Sequence, residues 1–302
     1  MRVYITGVSG MLGANIAYEL RNKYEVYGAD LVQIHMEHVK SDLVDLMDIT
    51  QLTSSINNVK PDVIIHTAAA VNVDLCEKNP TWAEELNYMV TYNLAHLCKL
   101  NNIKLIYIST DAVFDGTDNG LYAETSQERP LNVYGKTKLK GEKAVLEISN
   151  GTVLRTNIYG FNIQDKYSFG EWILYSLLKG EKLNMFTDIS FSPILVNELA
   201  KVIELIIENN VSGLYHACAT GSISKYEFAK ELKAQFEIRK GEIIPTLSSS
   251  FDFVAKRAKN MGMSNDKLKT TLDISISTPK QGIEKFKKLY NEGFSNKLKK
   301  MR

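Results

Sequence analysis

Two short stretches of this sequence carry side chains suited to moving a proton. Ser109-Thr110-Asp111 closes the apolar run Lys104-Leu105-Ile106-Tyr107-Ile108, and 24 residues after Thr110 comes Tyr134-Gly135-Lys136-Thr137-Lys138. Tyr134 and Lys138, at i and i+4 of a predicted helix, stack on one face. A phenol with its ordinary pKa of about 10 is a poor acid or base at neutral pH, and a neighbouring ammonium favours phenolate and brings that value down. The Thr110 hydroxyl can hold a carbonyl oxygen while the phenol delivers its proton. Alone, Tyr-x-x-x-Lys recurs by chance; behind an apolar strand ending in Ser-Thr, and behind the glycine turn described next, it becomes specific.

Gly7, Gly10 and Gly13 form Gly-x-x-Gly-x-x-Gly between the strand-like Val3-Tyr4-Ile5 and a segment from Ala14 to Leu20 with apolar residues at helical spacing. That context suits a dinucleotide. A tight turn brings the backbone N–H groups around Gly10, Met11 and Leu12 up to a pyrophosphate, and the helix start adds its positive end. Asp30 lies 23 residues after Gly7, at the end of a second strand. There a carboxylate accepts both ribose hydroxyls of NAD and repels a 2′-phosphate, so NAD(H) is favoured; Arg2, Arg21 or Lys23 could soften that preference toward NADP(H). Oxidised nicotinamide would also push the Tyr134 phenol toward phenolate. Asp48-Ile49 either flanks the adenine or is a helix N-cap followed by a core residue. Ala68 and Ala69 are small enough to let a cofactor pass closely, and His66 is expected to be a satisfied, partly buried histidine.

The elements that must position these groups alternate. Strands are predicted at Val3–Ile5, Glu25–Ala29, Asp62–His66, Lys104–Ile108 and Thr152–Arg155, with helices between them at Ile49–Val59, at 81–101 and at 133–149. Strands that are apolar throughout and separated by helices indicate a parallel sheet covered on both faces. Beyond residue 150 the pattern weakens, with helices expected over Phe169–Leu178 and Asn197–Glu208 and a basic, solvated helix from Lys285.

Composition bounds the rest. In 302 residues, 44% are hydrophobic and 24% charged, which excludes disordered and fibrous classes. A net charge of +1 supplies no basic field, so neither nucleic acid nor an anionic membrane is an expected partner. Cys76, Cys98 and Cys218 have no metal-ligand or disulfide spacing and are expected as buried thiols, and no metal site is expected. A strand starting at residue 2 and the lack of any run of 18 apolar residues suggest a cytoplasmic protein.

At this point the chain resembles the extended short-chain dehydrogenase/reductases, and within them the dTDP-4-dehydrorhamnose reductases. The resemblance is carried by Ser109-Thr110-Asp111-Ala112-Val113-Phe114-Asp115-Gly116 and by Tyr122-Ala123-Glu124 with Pro130 through Glu142. Asp48-Ile49-Thr50, Pro61 through His66, Val73-Asp74 with Cys76-Glu77, and Arg155-Thr156 with Tyr159-Gly160 agree as well. It spans essentially the whole chain and is more specific in the N-terminal half. It implies reduction at C4 of a 4-keto-6-deoxy sugar nucleotide, with hydride from the nicotinamide and a proton from Tyr134. Lys138 would bind the nicotinamide ribose and Thr110 would orient the carbonyl. The implied fold is a Rossmann-type doubly wound parallel sheet over residues 1–155, with a returning segment near 190–210, and a smaller C-terminal α/β substrate-binding domain in 156–302.

Three places depart from the family pattern: Met11 in the glycine turn, Ser192-Pro193-Ile194 where a Pro-Thr pair is usual, and Arg257 through Met263 near the C-terminus. The last two lie where a sugar nucleotide would sit. Candidates for that ligand are Asp111, Asn157, Trp172, whose ring beside Phe169 could stack on a base or belong to the core, and Arg257, whose planar cation suits a diphosphate. Asp111-Ala112 lacks the Asp-Glu pair of the sugar-nucleotide dehydratases. A sugar-nucleotide epimerase, or a non-catalytic dinucleotide-binding subunit like the methionine adenosyltransferase β subunit, remains an alternative. The helices at 81–101 and 133–149 could pair in a homodimer or simply cover the sheet.

Overall fold

Every apolar run predicted as a strand takes a place in one sheet of the computed structural model, which describes residues 1–302. In chain order the strands are β1 (Arg2–Thr6), β2 (Glu25–Asp30), β3 (Val39–Leu43), β4 (Val63–His66), β5 (Lys104–Thr110), β6 (Gly151–Thr156), β7 (Ile158–Tyr159), β8 (Lys182–Phe186), β9 (Ser190–Phe191), β10 (Ile194–Leu195), β11 (Gly213–His216), β12 (Ile223–Ser224), β13 (Glu242–Thr246) and β14 (Asn260–Met261). Seven are parallel neighbours in the order β11-β6-β5-β4-β1-β2-β3. The chain winds outward from β1 to β3, then restarts at β4 and winds the other way, so a crevice opens beyond the carboxyl ends of β1 and β4.

Alternation along each strand feeds two cores. Val3, Ile5, Val63, Ile65, Ile106 and Ile108 face a cluster of 46 buried residues that also holds α1 (Met11–Leu20) and, later in the chain, Val196–Glu208. Tyr4, Ile64, Leu105 and Tyr107 face a cluster of 19 on the opposite side, under α2 (Ile49–Val59) and the helices that follow β4 and β5.

The segment expected as one helix over 81–101 is interrupted. After α3 (Val73–Lys78) come α4 (Pro80–Glu84), a π-helical turn over Glu85–Met89, and α5 (Val90–Asn101). The extra residue of the turn carries Asn87, whose amide oxygen accepts from Ala70 N at 2.7 Å and whose amide nitrogen donates to Ala70 O at 3.2 Å and to Thr137 Oγ1 at 3.1 Å. Such bulges recur beside functional sites, and this one fixes the loop after β4 against α6 (Val133–Leu146).

The second half contributes α7 (Phe169–Leu178), α8 (Val196–Glu208), α9 (Lys225–Gln235), α10 (Asp266–Leu272), α11 (Pro279–Asn291) and α12 (Phe294–Lys299). α8 packs on α1, and β11 joins the sheet beside β6. β3 and β11 are absent from the predicted strands. Both are sheet edges, where one flank needs no partner and the residues read as polar or small. In the basic tail four of the six lysines are exposed, while Phe286, Phe294 and Leu298 enter the core. All three cysteines are buried and unpaired. No helix is long and apolar enough to cross a membrane, and no three His, Cys, Asp or Glu side chains cluster as metal ligands do.

Candidate active site

The crevice at the strand ends is a cleft of about 850 Å³ running from the glycine turn to the second half of the chain. At its first end Gly7 adopts φ +74°, and its N–H donates to Ala29 O at 2.8 Å while its carbonyl accepts from Gly10 N at 3.0 Å. A Cβ on Gly13 would stand 2.2 Å from Gly7 O, so glycine alone lets α1 start this close to the strand. Gly13 thus lies beneath the turn while Gly7, Gly10, Met11 and Leu12 line the cleft. α1 begins with no side-chain cap, which leaves its first N–H groups free toward the cleft. Those free donors and the lack of Cβ atoms fit a pyrophosphate.

Asp30 faces the same end, its Oδ2 accepting from Ser9 N at 2.9 Å and Ser9 Oγ at 2.7 Å. The three cations that could have softened its preference are engaged elsewhere. Arg2 donates to Val59 O at 2.7 Å, Arg21 lies 3.6 Å from the Tyr18 ring, and Lys23 pairs with Glu204 at 2.9 Å and with Glu208. Ala68 and Ala69 line the cleft as well. Asp48 and Ile49 do not: Asp48 caps α2, accepting from Thr50 N at 2.9 Å and Gln51 N at 3.2 Å, and Ile49 is exposed. Their place on the wall is taken by Val44, Asp45, Leu46 and Met47. His66 is buried rather than partly buried, with Thr6 Oγ1 at 2.7 Å and Thr91 Oγ1 at 3.0 Å on its two ring nitrogens, and burial pulls its pKa down to about 3.

At mid-cleft stand Thr110, Tyr134 and Lys138, together although 24 residues separate the first two. The Thr110 hydroxyl donates to Asp111 Oδ1 at 3.1 Å and accepts from Ala112 N at 3.1 Å. Asn132 caps α6 by accepting from Gly135 N at 2.9 Å, which fixes Tyr134 in the first turn. Lys138 is buried, donates to Ile108 O at 2.7 Å and lies 4.0 Å from the Tyr107 ring. Burial pulls its pKa down to about 7, partly offset by Glu142. The sequence predicts that this ammonium lowers the pKa of Tyr134. In the chain itself burial and the nearby Asp111 carboxylate push the phenol above its ordinary value, against the opposing effect of the Thr110 hydroxyl.

The far end joins the two halves of the molecule. Asp111 is buried, accepts from Asn157 Nδ2 at 2.6 Å, and has its pKa raised by burial. Arg257 lines the cleft but pairs with Asp74 at 2.9 Å, and a diphosphate would have to share it. Trp172 lies outside, on the exposed side of α7 with its ring 6.2 Å from that of Phe169. Gln164, Lys166 and Lys225 line the cleft although no sequence motif marks them, since each arrives from a segment without recognisable pattern.

Comparison with known proteins follows these contours. A family model described as RmlD substrate binding domain matches residues 1–291. A probable low-salt glycan biosynthesis reductase of Haloferax volcanii is 30% identical over 241 residues, covering 77% of this chain and 79% of that one. Methionine adenosyltransferase 2 subunit beta of Rattus norvegicus is 32% identical over 287 residues, covering 92% and 84%. The crystal structure of dTDP-4-dehydrorhamnose reductase from Bacillus anthracis, in complex with NADP, superposes with a TM-score of 0.85 at 30% identity over 94% of this chain and 98% of that one. The family model spans nearly the whole chain, and the chain belongs to the RmlD substrate binding domain family.

Proposed function

We propose that the protein reduces the C4 keto group of a 4-keto-6-deoxy sugar nucleotide with NAD(H) as cofactor. The observation that carries this is one continuous cleft with an uncapped helix start and Asp30 at one end and Thr110, Tyr134 and Lys138 at its middle. A bound reduced nicotinamide supplies the hydride to C4. Tyr134, held protonated by burial and by Asp111, gives its proton to the oxygen as the carbonyl becomes a hydroxyl. Thr110 orients that oxygen, and Lys138 holds the nicotinamide ribose. NAD(H) is favoured because Asp30 faces the ribose end and Arg2, Arg21 and Lys23 are turned to other partners. Residues 156–302 would supply most of the sugar-nucleotide contacts, Arg257 and Asn157 among them.

The test is oxidation of NADH by a panel of 4-keto sugar nucleotides. Tyr134→Phe removes one oxygen and should lower kcat at least about 100-fold with the fold intact. Near-normal turnover by this variant would remove Tyr134 from its role. Net consumption of NADH separates a reductase from an epimerase, which returns its hydride. A second function is favoured by the 32% identity to a protein named as a subunit beta: a dinucleotide-binding partner subunit without turnover. Stoichiometric binding of NADH with no turnover on any panel member would favour it.

A further inference from the structure

Lys225 is held in place by the backbone around it. Ser224 caps α9 by accepting from Glu227 N at 3.0 Å, β12 pairs with β9 so that Ser224 lies opposite Ser190, and Lys225 N donates to Ile189 O at 2.9 Å. Its side chain stands where elementary electrostatics disfavours it: a cation in the first turn of a helix opposes the helix dipole, and an enclosed ammonium loses hydration. The Nζ lies 3.3 Å from the centre of the Phe191 ring and 4.3 Å from that of Phe169. Both ring faces attract the ammonium but accept no conventional hydrogen bond from it, and the charge it feels most is that of Asp111. The ammonium faces the cleft with its donors free. Asp111 acts on both Lys225 and the Tyr134 phenol and accepts from Thr110 at 3.1 Å, which puts Lys225 on the proton-donor side of the cleft, away from the glycine turn. Local rules broken at a well-fixed position mark a site where a ligand completes the contacts.

We propose that Lys225 is a substrate-binding residue whose ammonium donates to a ring hydroxyl of the sugar while Asp111 accepts from that sugar, so that the site selects a neutral hexose over a uronate. This deepens the keto-sugar function proposed above and rests on it. A hydroxyl group accepts from an ammonium and donates to a carboxylate at once. A uronate would satisfy Lys225 but bring a second negative charge beside the Asp111 carboxylate. Phe169 and Phe191 cover one side of the ammonium and leave its donors to the cleft, where a ligand hydroxyl can accept them.

The test compares the wild type with Lys225→Met, which keeps the apolar stem against both rings and removes the donors, and Lys225→Arg, which keeps the charge. Calorimetric binding of dTDP-glucose and UDP-glucose needs no turnover, and Lys225→Met should weaken the better ligand at least about tenfold while NADH affinity stays unchanged and Lys225→Arg retains part of the binding. KM for the keto sugar should rise in parallel. Wild type should bind UDP-glucose more tightly than UDP-glucuronate; unchanged sugar-nucleotide binding in Lys225→Met, or wild-type binding of UDP-glucuronate as tight as or tighter than that of UDP-glucose, overturns the proposal. A wild type that binds dTDP-glucose but reduces no keto sugar overturns the reaction alone, because the binding difference still decides Lys225. A wild type that binds none of these sugars overturns both.

Discussion

In the proposed reaction Tyr134 would meet the substrate with its proton in place. Burial and Asp111 both favour the neutral phenol, the form a reductase needs before hydride arrives. Lys138 is the group that changes charge near neutrality. Its pKa in the fold is about 7 against an ordinary value of about 10.5, so between those values the unfolded chain binds a proton that the folded chain has released. Stability therefore rises with pH across that window, and the full cost of burying the ammonium is felt below pH 7. Lys138→Met should gain on the wild type in Tm at pH 6 to 7 and lose that gain toward pH 10, as differential scanning fluorimetry at a series of pH values would show. Asp30→Ala removes the carboxylate that opposes a 2′-phosphate and should move the ratio of kcat/KM for NADPH over NADH up about tenfold; an unchanged ratio would place cofactor choice elsewhere. That Tyr134, Lys138 and Asp30 would line one cleft was legible because their spacing falls within a helix turn or one strand–helix unit. Lys225 was not, because it joins Asp111 on the cleft wall from 114 residues away.

α1 meets β1 through the glycine turn, and the approach has no slack. Replacing a glycine by alanine in an open helix usually stabilises it by about 0.5 to 1 kcal/mol. Gly13→Ala should do the reverse, since its Cβ would meet Gly7 O at 2.2 Å. The expected result is a Tm lowered by several degrees and NADH binding weakened more than tenfold in a fluorescence titration; wild-type values for both would show that the helix can shift without harm. α8 offers a contrast. Ile203 is fully buried in the large core cluster and does not line the cleft. Ile203→Ala should cost about 2–5 kcal/mol in denaturant unfolding yet leave kcat near wild type at low temperature. Helices α2, α7 and α8 followed from apolar spacing to within a residue or two. The π-helical turn did not, because nothing local to 85–89 reveals that Asn87 will clamp Ala70 across the cleft wall.

Two buried histidines tie distant parts of the chain together and make the whole fold sensitive to acid. His66, at the end of β4, bridges Thr6 and Thr91. His216, at the end of β11, donates its backbone N–H to Glu124 at 2.8 Å and places its ring 3.1 Å from the Ser264 carbonyl. Burial holds both pKa values down to about 3, helped at His216 by Arg155. Below pH 6.5 the unfolded chain takes up protons that the fold refuses, so stability present above 6.5 is lost toward pH 3, by about 1.4 kcal/mol per histidine for each pH unit. Tm should fall steadily from pH 6.5 to 4, and His216→Asn should flatten part of that slope; equal slopes would assign the acid response to carboxylates. A buried network of Arg155, Glu142 and Ser109, with Arg155 Nη2 2.7 Å from Glu142 Oε2, further locks β5, β6 and α6 under the cleft.

The amino-acid order by itself determined the parallel sheet, the glycine turn and the placing of Tyr134 and Lys138 one helical turn apart, because strand alternation, helix period and turn chemistry act over a few residues. Only the tertiary structure decided that β3 and β11 close the sheet edges, that Asp48 caps a helix while Val44 to Met47 form the wall, that Arg257 is shared with Asp74, and that the Tyr134 phenol is held neutral. Burial and charge act through distance in space, and the chain sets those distances only when segments far apart in sequence come together.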